Sequence, residues 1–304
     1  MRQTILEPLF FSRNLTDADI ARFHQTILDF YHNHGRSFPW RNTDNPYHIL
    51  VSEVMLQQTQ TDRVVPKYEQ FLRTYPDVER LAAASFREIL SVWQGLGYNR
   101  RALALKKTAE ILLTQHHGKV PDTLDELLAL PGLGPYSARA ILTFAYHQPM
   151  VFLETNIRNV YIYFFFQNQT TIHDKELEPL IEKTLYTPDP RTWYYALMDY
   201  GAMLKKKNPY LNKKSRHYTR QSRFHGSNRQ IRGQILSLLL RTHAVSLLDF
   251  REKLHLPEQT LQPILTQLIH EGLITEKDKY YQLVESSGMV DGTSQQNSQE
   301  TKNQ

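Results

Sequence analysis

The chain has no cysteine in its 304 residues, which removes disulfides, thiolate zinc sites, iron–sulfur clusters and a cysteine nucleophile together. It also lacks any run of about 18 apolar residues, and its first residues, MRQTILEPLFFSRN, carry no apolar core of signal-peptide length. Neither export nor membrane insertion is expected, and a cytoplasmic protein is the default. No internal repeat is visible. Acidic residues are missing between Asp199 and Asp249, where Lys205, Lys206, Lys207, Lys213, Lys214, Arg216, Arg220, Arg223, Arg229 and Arg232 crowd together with Tyr210, Tyr218 and Phe224. What is present is a mild positive excess, formally +5 with a pI of about 9.2. That suits a polyanionic partner but says nothing about fold. At this length several packed lobes are expected, since single cores rarely grow beyond ~250 residues.

Apolar residues recur at helical spacing, as in Ile20, Phe23, Ile27 and Phe30, then Leu81, Ile89, Leu90 and Trp93, then Leu124, Leu127 and Leu128. The fold class is mainly α. Asp77 and Ser85 are placed to cap helices, Pro121-Asp122-Thr123 opens another, and Gly95, Gly97 and Gly118 stand where helices should stop. The basic stretch from residue 205 reads as a loop crossing a domain boundary, or else a solvated run of charge. Beyond it the pattern predicts helices over 230–243, 247–254 and 259–269. A short hairpin follows, built from Leu273-Ile274-Thr275 and residues 279–283 around Lys277-Asp278. Three helices with a two-stranded wing read as a winged-helix-like domain, or as a small packing or protein-binding module. From residue 286 the Ser/Gln/Asn-rich tail has no apolar anchors and is expected to be disordered.

The sharpest local motif is Leu130-Pro131-Gly132-Leu133-Gly134, between a helix ending near Ala129 and one starting near Tyr136. As a helix–hairpin–helix, Gly132 and Gly134 let backbone approach a phosphate, and the free N–H groups opening the next helix bond the anion. An ordinary tight αα connection would look the same locally.

Context separates the two. Phe38-Pro39-Trp40-Arg41, Val51-Ser52-Glu53-Val54-Met55-Leu56-Gln57-Gln58-Thr59-Gln60 and Trp93-Gln94-Gly95-Leu96-Gly97-Tyr98 precede the hairpin in order. From about Phe38 to Leu204 the chain resembles the MutY-type adenine DNA glycosylases of the endonuclease III superfamily. The resemblance implies a two-lobed helix-hairpin-helix glycosylase fold: a six-helix lobe over 45–148, and a terminal lobe of 1–44 with 149–227. The winged-helix-like domain would occupy 228–285 and the tail 286–304. It further implies a monomer acting on double-stranded DNA, with the active site in the cleft. Glu53 matches the family's essential glutamate, which protonates adenine at N7; its apolar flanks Val51, Val54, Met55 and Leu56 could raise its pKa by desolvation. Tyr136 falls where lyase-competent relatives carry a Schiff-base lysine, so a monofunctional hydrolase is implied. Glu154, flanked by Asn156 and Arg158, replaces the aspartate that stabilises the sugar cation. One extra methylene displaces a carboxylate by about 1 Å, an error that can cost ~10²-fold in rate unless the backbone compensates. Arg41 and Asp199 match positions that touch the flipped base or support its pocket, Asp199 as a possible acceptor for the exocyclic amine. Gln57 and Gln58 match the segment entering the base stack, and Leu96 and Tyr98 match wedges beside the opposite base. For Leu96 and Tyr98 a plain core role is the alternative.

Two departures qualify the likeness. Family members usually close the catalytic lobe with four cysteines around an iron–sulfur cluster; here Lys205, Asn212, Ser215 and Gln221 stand at that spacing, so neither cluster nor other cofactor or metal is expected. Lys205, Lys206 and Lys207 keep phosphate binding possible without metal. The family's C-terminal Nudix-like β domain is also replaced. Two other functions stay open: a thymine or uracil mismatch glycosylase of the same superfamily, and a non-catalytic DNA-binding protein.

Overall fold

The computed structural model describes residues 14–219 and 223–285. The N-terminal residues of the terminal lobe, Arg220, Gln221 and the tail expected to be disordered lie outside them. Fourteen α-helices are present among the described residues, and strands are confined almost wholly to the C-terminal module.

Seven helices, rather than the expected six, fill residues 45–148: α2 (Pro46–Leu56), α3 (Thr61–Thr74), α4 (Val78–Ala83), α5 (Phe86–Trp93), α6 (Arg100–Gln115), α7 (Leu124–Ala129) and α8 (Pro135–Tyr146). The extra break is local chemistry. Asp77 caps α4 through the Arg80 amide, and Ser85 restarts the chain as α5 in a reciprocal capping box with Glu88. The central helix is α2, buried at Tyr47 and from Ile49 to Met55, with α3, α6 and α8 packed around it. A helix apolar on all sides belongs in a core, so a carboxylate on it is conspicuous.

A second group joins the start of the described chain to its middle: α1 (Asp17–His34), α9 (Thr155–Phe165), α10 (Asp174–Lys183) and α11 (Pro190–Lys207). Helices α9 and α11 form its tightest pair, with α1 against α11. Phe23 sits at the centre, meeting Tyr161, Phe164, Phe165 and Trp193 edge-on at 5.2–5.7 Å. Edge-to-face rings set the lobe's packing geometry as well as burying area. The pairing of α9 with α11 depends on Gly201, since a Cβ there would lie 2.0 Å from the Asn156 carbonyl oxygen.

Residues 228–283 form α12 (Asn228–Arg241), β1 (Val245–Ser246), α13 (Leu247–Leu254), α14 (Glu258–His270), β2 (Ile274–Lys277) and β3 (Tyr280–Leu283). The antiparallel sheet runs β1-β3-β2. Strand β1 had no signal in sequence, being two residues long. The β2–β3 turn lies at Asp278-Lys279, one residue later than expected, and both adopt left-handed φ of 52° and 66°, the backbone of a two-residue hairpin loop. The module docks on α5, where Arg87 donates to the carbonyls of Leu239 and Leu240 at 2.8 and 3.2 Å.

Candidate active site

Glu53 lies on the buried face of α2 and is 5% exposed. Burial pushes its pKa up to about 8; a hydrogen bond with Tyr136 opposes the shift and the neighbouring Glu154 adds to it. Tyr136 enters from the first turn of α8, its ring edge-on to Phe152 at 5.7 Å. Glu154 is the N-cap of α9. Its Oε1 accepts the amides of Asn156 at 2.7 Å and Ile157 at 3.0 Å, and its Oε2 accepts the Asn156 side-chain amide at 3.3 Å. Burial raises the Glu154 pKa, and the two backbone amides, Arg158 and the Asn156 side chain pull against it. Glutamate thus reaches the amide pair that a shorter cap would use, and the extra methylene is absorbed at a helix N-terminus. Arg158 is engaged elsewhere, in a two-bond pair with Asp174 at 2.7 Å.

Arg41 and Asp199 meet, but not in the way expected for an acceptor. Asp199 Oδ1 and Oδ2 take both terminal nitrogens of Arg41 at 2.8 and 2.9 Å, together with the Arg36 amide at 2.7 Å and the Arg36 guanidinium. Burial works to raise the carboxyl's pKa, and the bonds from Arg41 and Arg36 outweigh it, holding it below the ordinary range. With its oxygens so occupied, Asp199 supports Arg41 and offers no free acceptor. Arg41 in turn lies 4.5 Å from the Tyr195 ring centroid, and its Nε has no partner.

Tyr195 escaped the sequence reading. Its ring stacks on Phe144 at 4.5 Å and 7°, its hydroxyl is buried without a partner, and it feels the charge of Glu53. One position among several aromatics on α11 carries no sequence signal; its unpartnered hydroxyl, shared in kind by the Trp193 indole, together with the charge of Glu53 marks it. Arg101 escaped too. It is a buried guanidinium that donates to the carbonyls of Val54, Met55 and Gln57 at 2.6–2.8 Å, and to Gly97 O and Thr59 Oγ1 at 3.0 Å. Burial lowers its pKa to about 10, which leaves it charged. It ties the end of α2 to the Leu96–Tyr98 loop.

That tie matters because both segments are strained. Gln58 and Tyr98 have left-handed φ of 55° and 46°, which costs a non-glycine residue about 1–3 kcal/mol and concentrates at functional positions. Gln57 bridges from the end of α2 to Gly132 O and Ser137 Oγ, both at 3.1 Å. Tyr98 receives a hydrogen bond from Arg229 of α12 at 3.0 Å. Leu96 is only 4% exposed in this structure, which fits the core alternative. Gly132 needs its φ of 80°, whereas a side chain at Gly134 would meet open space.

A cleft of about 1410 Å³ runs past Gln57, Gln58, Leu96, Tyr98 and Gly132, with α12 as its far wall; a second, of about 620 Å³, is lined by Tyr31, Arg36 and Arg41. Glu53 lines neither. Lys205, Lys206 and Lys207 end α11 instead of starting a loop, and all three are exposed. The stretch after them is held by peptide chemistry. Ile172 pairs in parallel with Ser215, with Ile172 N to Lys214 O at 2.8 Å and Arg216 N to Ile172 O at 3.0 Å. The Lys214 ammonium donates to Gln167 O at 2.7 Å beyond the C-terminal end of α9. Without cysteine there is no iron–sulfur cluster, and no group of three or more His, Asp or Glu able to hold a metal occurs among the described residues. No helix among them is long and apolar enough to cross a membrane.

The sequence from 51 to 185 matches the HhH-GPD superfamily base excision DNA repair protein family. The chain is similar to that superfamily over this segment, 135 of its 304 residues. It is 39% identical over 196 residues to an adenine DNA glycosylase of Buchnera aphidicola subsp. Baizongia pistaciae, covering 62% of this chain and 55% of that one. It is 38% identical over 145 residues to a thymine/uracil-DNA glycosylase of Pyrobaculum aerophilum, covering 47% and 63%. The chain thus spans about half the length of the adenine glycosylase it matches. The structure of a thermostable thymine-DNA glycosylase superposes with a TM-score of 0.54 at 28% identity, covering 60% of this chain and 86% of that one. The mainly helical fold is that of an HhH-GPD glycosylase.

Proposed function

We propose that the protein is a base-excision DNA glycosylase that hydrolyses the N-glycosidic bond of adenine mispaired with guanine or 8-oxoguanine. The observation that carries this reading is the buried Glu53, its pKa raised to about 8, so that at neutral pH it keeps a proton to give. Glu53 delivers that proton to adenine N7 and the base departs neutral. Glu154, anchored on the α9 amides, stabilises the sugar cation left behind, and Asn156 fixes the carboxylate for the attack of water. Tyr136 occupies the place where an amine would form a Schiff base, so the enzyme is monofunctional and borohydride traps little covalent adduct. Tyr195 supplies a hydroxyl for the base, with Arg41 over its ring.

Gly132 and Gly134 hold a phosphate against the start of α8, while Gln57, Gln58 and Tyr98 replace the stacking that the flipped nucleotide gives up. Glu53 is buried and lines neither cleft, so base entry requires the pocket to open. The divisions are 14–44 with 149–227 and 45–148 for the two lobes, and 228–285 for a winged-helix-like domain.

A thymine or uracil mismatch glycosylase is the second reading, favoured by the Pyrobaculum relative. The test is alkaline cleavage after incubation with duplexes bearing A opposite 8-oxoguanine, A opposite G, T opposite G and U opposite G. Release from the adenine duplexes is expected. Release from the T and U duplexes alone selects the second reading, and none on any duplex leaves a DNA-binding protein.

A further inference from the structure

The far wall of the large cleft is not explained by a packing module. Helix α12 contributes Arg229, Gly233, Leu236 and Leu240 to the cleft lining, Leu236 as a buried residue at its base, and buries Ile231, Ile235 and Leu239 on its other side. These cleft-facing positions follow the i, i+4, i+7, i+11 spacing of a single helical face. Across the opening stand Arg63 of α3 and Arg100 and Lys107 of α6. Among the described lining residues the one acid is Glu271, which Arg232 pairs. Cations thus outnumber acids in the lining, with Arg63, Arg100 and Lys107 facing α12, and the excess positive charge attracts a polyanion.

Gly233 adds an observation independent of charge. It lies in the interior of α12, where glycine weakens a helix relative to alanine, and a Cβ there would meet nothing within 4 Å. Packing within the chain therefore does not require glycine. A missing side chain on the exposed, cationic face of a helix fits close approach of a ligand to the backbone.

We infer that α12 is a DNA-contacting wall: one strand of the duplex runs between the Leu96–Tyr98 loop and α12, and closest approach is at Gly233. Arg229 bonds Tyr98 and so links this wall to the strained loop. The inference rests on the DNA reading above and extends it to the C-terminal module.

The absence of cysteine makes the test clean, because Gly233→Cys installs the sole thiol in the full-length chain. It is offered duplexes containing adenine opposite 8-oxoguanine, with a disulfide-tethered nucleotide placed at successive positions in either strand. Cross-linking confined to tethers within a few base pairs of the mispair is expected, and the strand that reacts identifies the occupant. No cross-link at any position overturns the inference. In parallel, binding to a duplex carrying a non-hydrolysable adenosine analogue is followed by fluorescence anisotropy. Gly233→Gln should weaken affinity about tenfold while Tm does not fall, and Gly233→Ala should bind within twofold of the parent. Equal affinity for the Gln variant overturns the close approach. A parent protein that binds but frees no base, with its Gly233→Cys variant still cross-linking, leaves the wall standing and removes the proposed chemistry. A parent that frees adenine while every Gly233 variant binds normally does the reverse.

Discussion

The pocket around Glu53 and the basic stretch after α11 hold their working groups by opposite means. In the pocket, the carboxylates and the Arg41 and Arg101 guanidiniums are buried or partly buried and their bonds fix them to named atoms: Glu154 to two amides, Asp199 to Arg41 and the more exposed Arg36, Arg101 to a ring of carbonyls. In the stretch, Lys205 to Lys207 are exposed, and what is fixed is the backbone beneath, through Lys214 and the Ile172–Ser215 pairing. The difference follows from the physics of each task. Proton delivery needs a desolvated acid in one geometry, whereas attraction to phosphate acts over a Debye length of about 8 Å and tolerates mobile side chains. A fold of this kind can therefore lose a cluster from the stretch more easily than one carboxyl from the pocket.

The largest effect expected on that contrast comes from Glu53→Gln. Base release should fall by about 10²–10⁴-fold while duplex affinity stays within a few-fold. In the parent, the rate should decline as pH rises through about 8, where Glu53 loses its proton. Stability supplies a second readout with a definite sign. Between the ordinary value of 4.5 and about 8, the folded protein keeps a proton that the unfolded chain has lost, so this site erodes stability with rising pH by up to about 1.4 kcal/mol per unit. Glu53→Gln removes that slope. Its Tm advantage over the parent should widen from pH 5 to pH 8, and a constant difference would place the carboxyl in water.

Gly201→Ala comes next, because it strikes the pocket from outside. The new methyl would collide with the Asn156 carbonyl and push α9 from α11, costing about 1–3 kcal/mol as overpacking does. Since Asn156 and Glu154 ride on that turn, the single-turnover rate should drop by about tenfold or more even at temperatures where the variant is folded. A lowered Tm with an unchanged rate would make Gly201 a packing residue alone. Glu154→Asp should be milder: aspartate is a good N-cap, so stability should hold and the rate should stay within about tenfold. A collapse of rate in a stable variant would show the pocket fitted to glutamate.

How much of this was legible in sequence follows the same division. Helices with clear caps, such as those at Asp77 and Ser85, and the hairpin glycines could be read because local chemistry writes them. Glu53 was reached through the family likeness, and its apolar neighbours suggested the burial that is found. Of the two roles open to Asp199, support of Arg41 is the one its bonds favour, and the sequence could not choose because its partners Arg36 and Arg41 lie more than 150 residues away. Arg101 and Tyr195 were silent for the same reason: a buried arginine on α6 looks like any helix arginine until the carbonyls it ties together are seen. Leu96 stayed open between wedge and core because a loop leucine packs inward or projects with no difference in local pattern.

The smallest effect belongs to the exposed lysines, and it separates the two regions most directly. Replacing Lys205, Lys206 and Lys207 with glutamine leaves the pocket untouched, so the single-turnover rate at saturating protein should match the parent. Affinity should fall several-fold at low salt, and the slope of log K against log salt should flatten by about 0.9 for each phosphate no longer neutralised. Because these lysines sit at the C-terminal end of α11, where cations favour the helix dipole, a stability loss of a few tenths of a kcal/mol is expected besides. An unchanged slope would take the stretch off the DNA and leave the cluster's place filled by structure alone, with phosphate attraction resting on the hairpin and the walls of the large cleft.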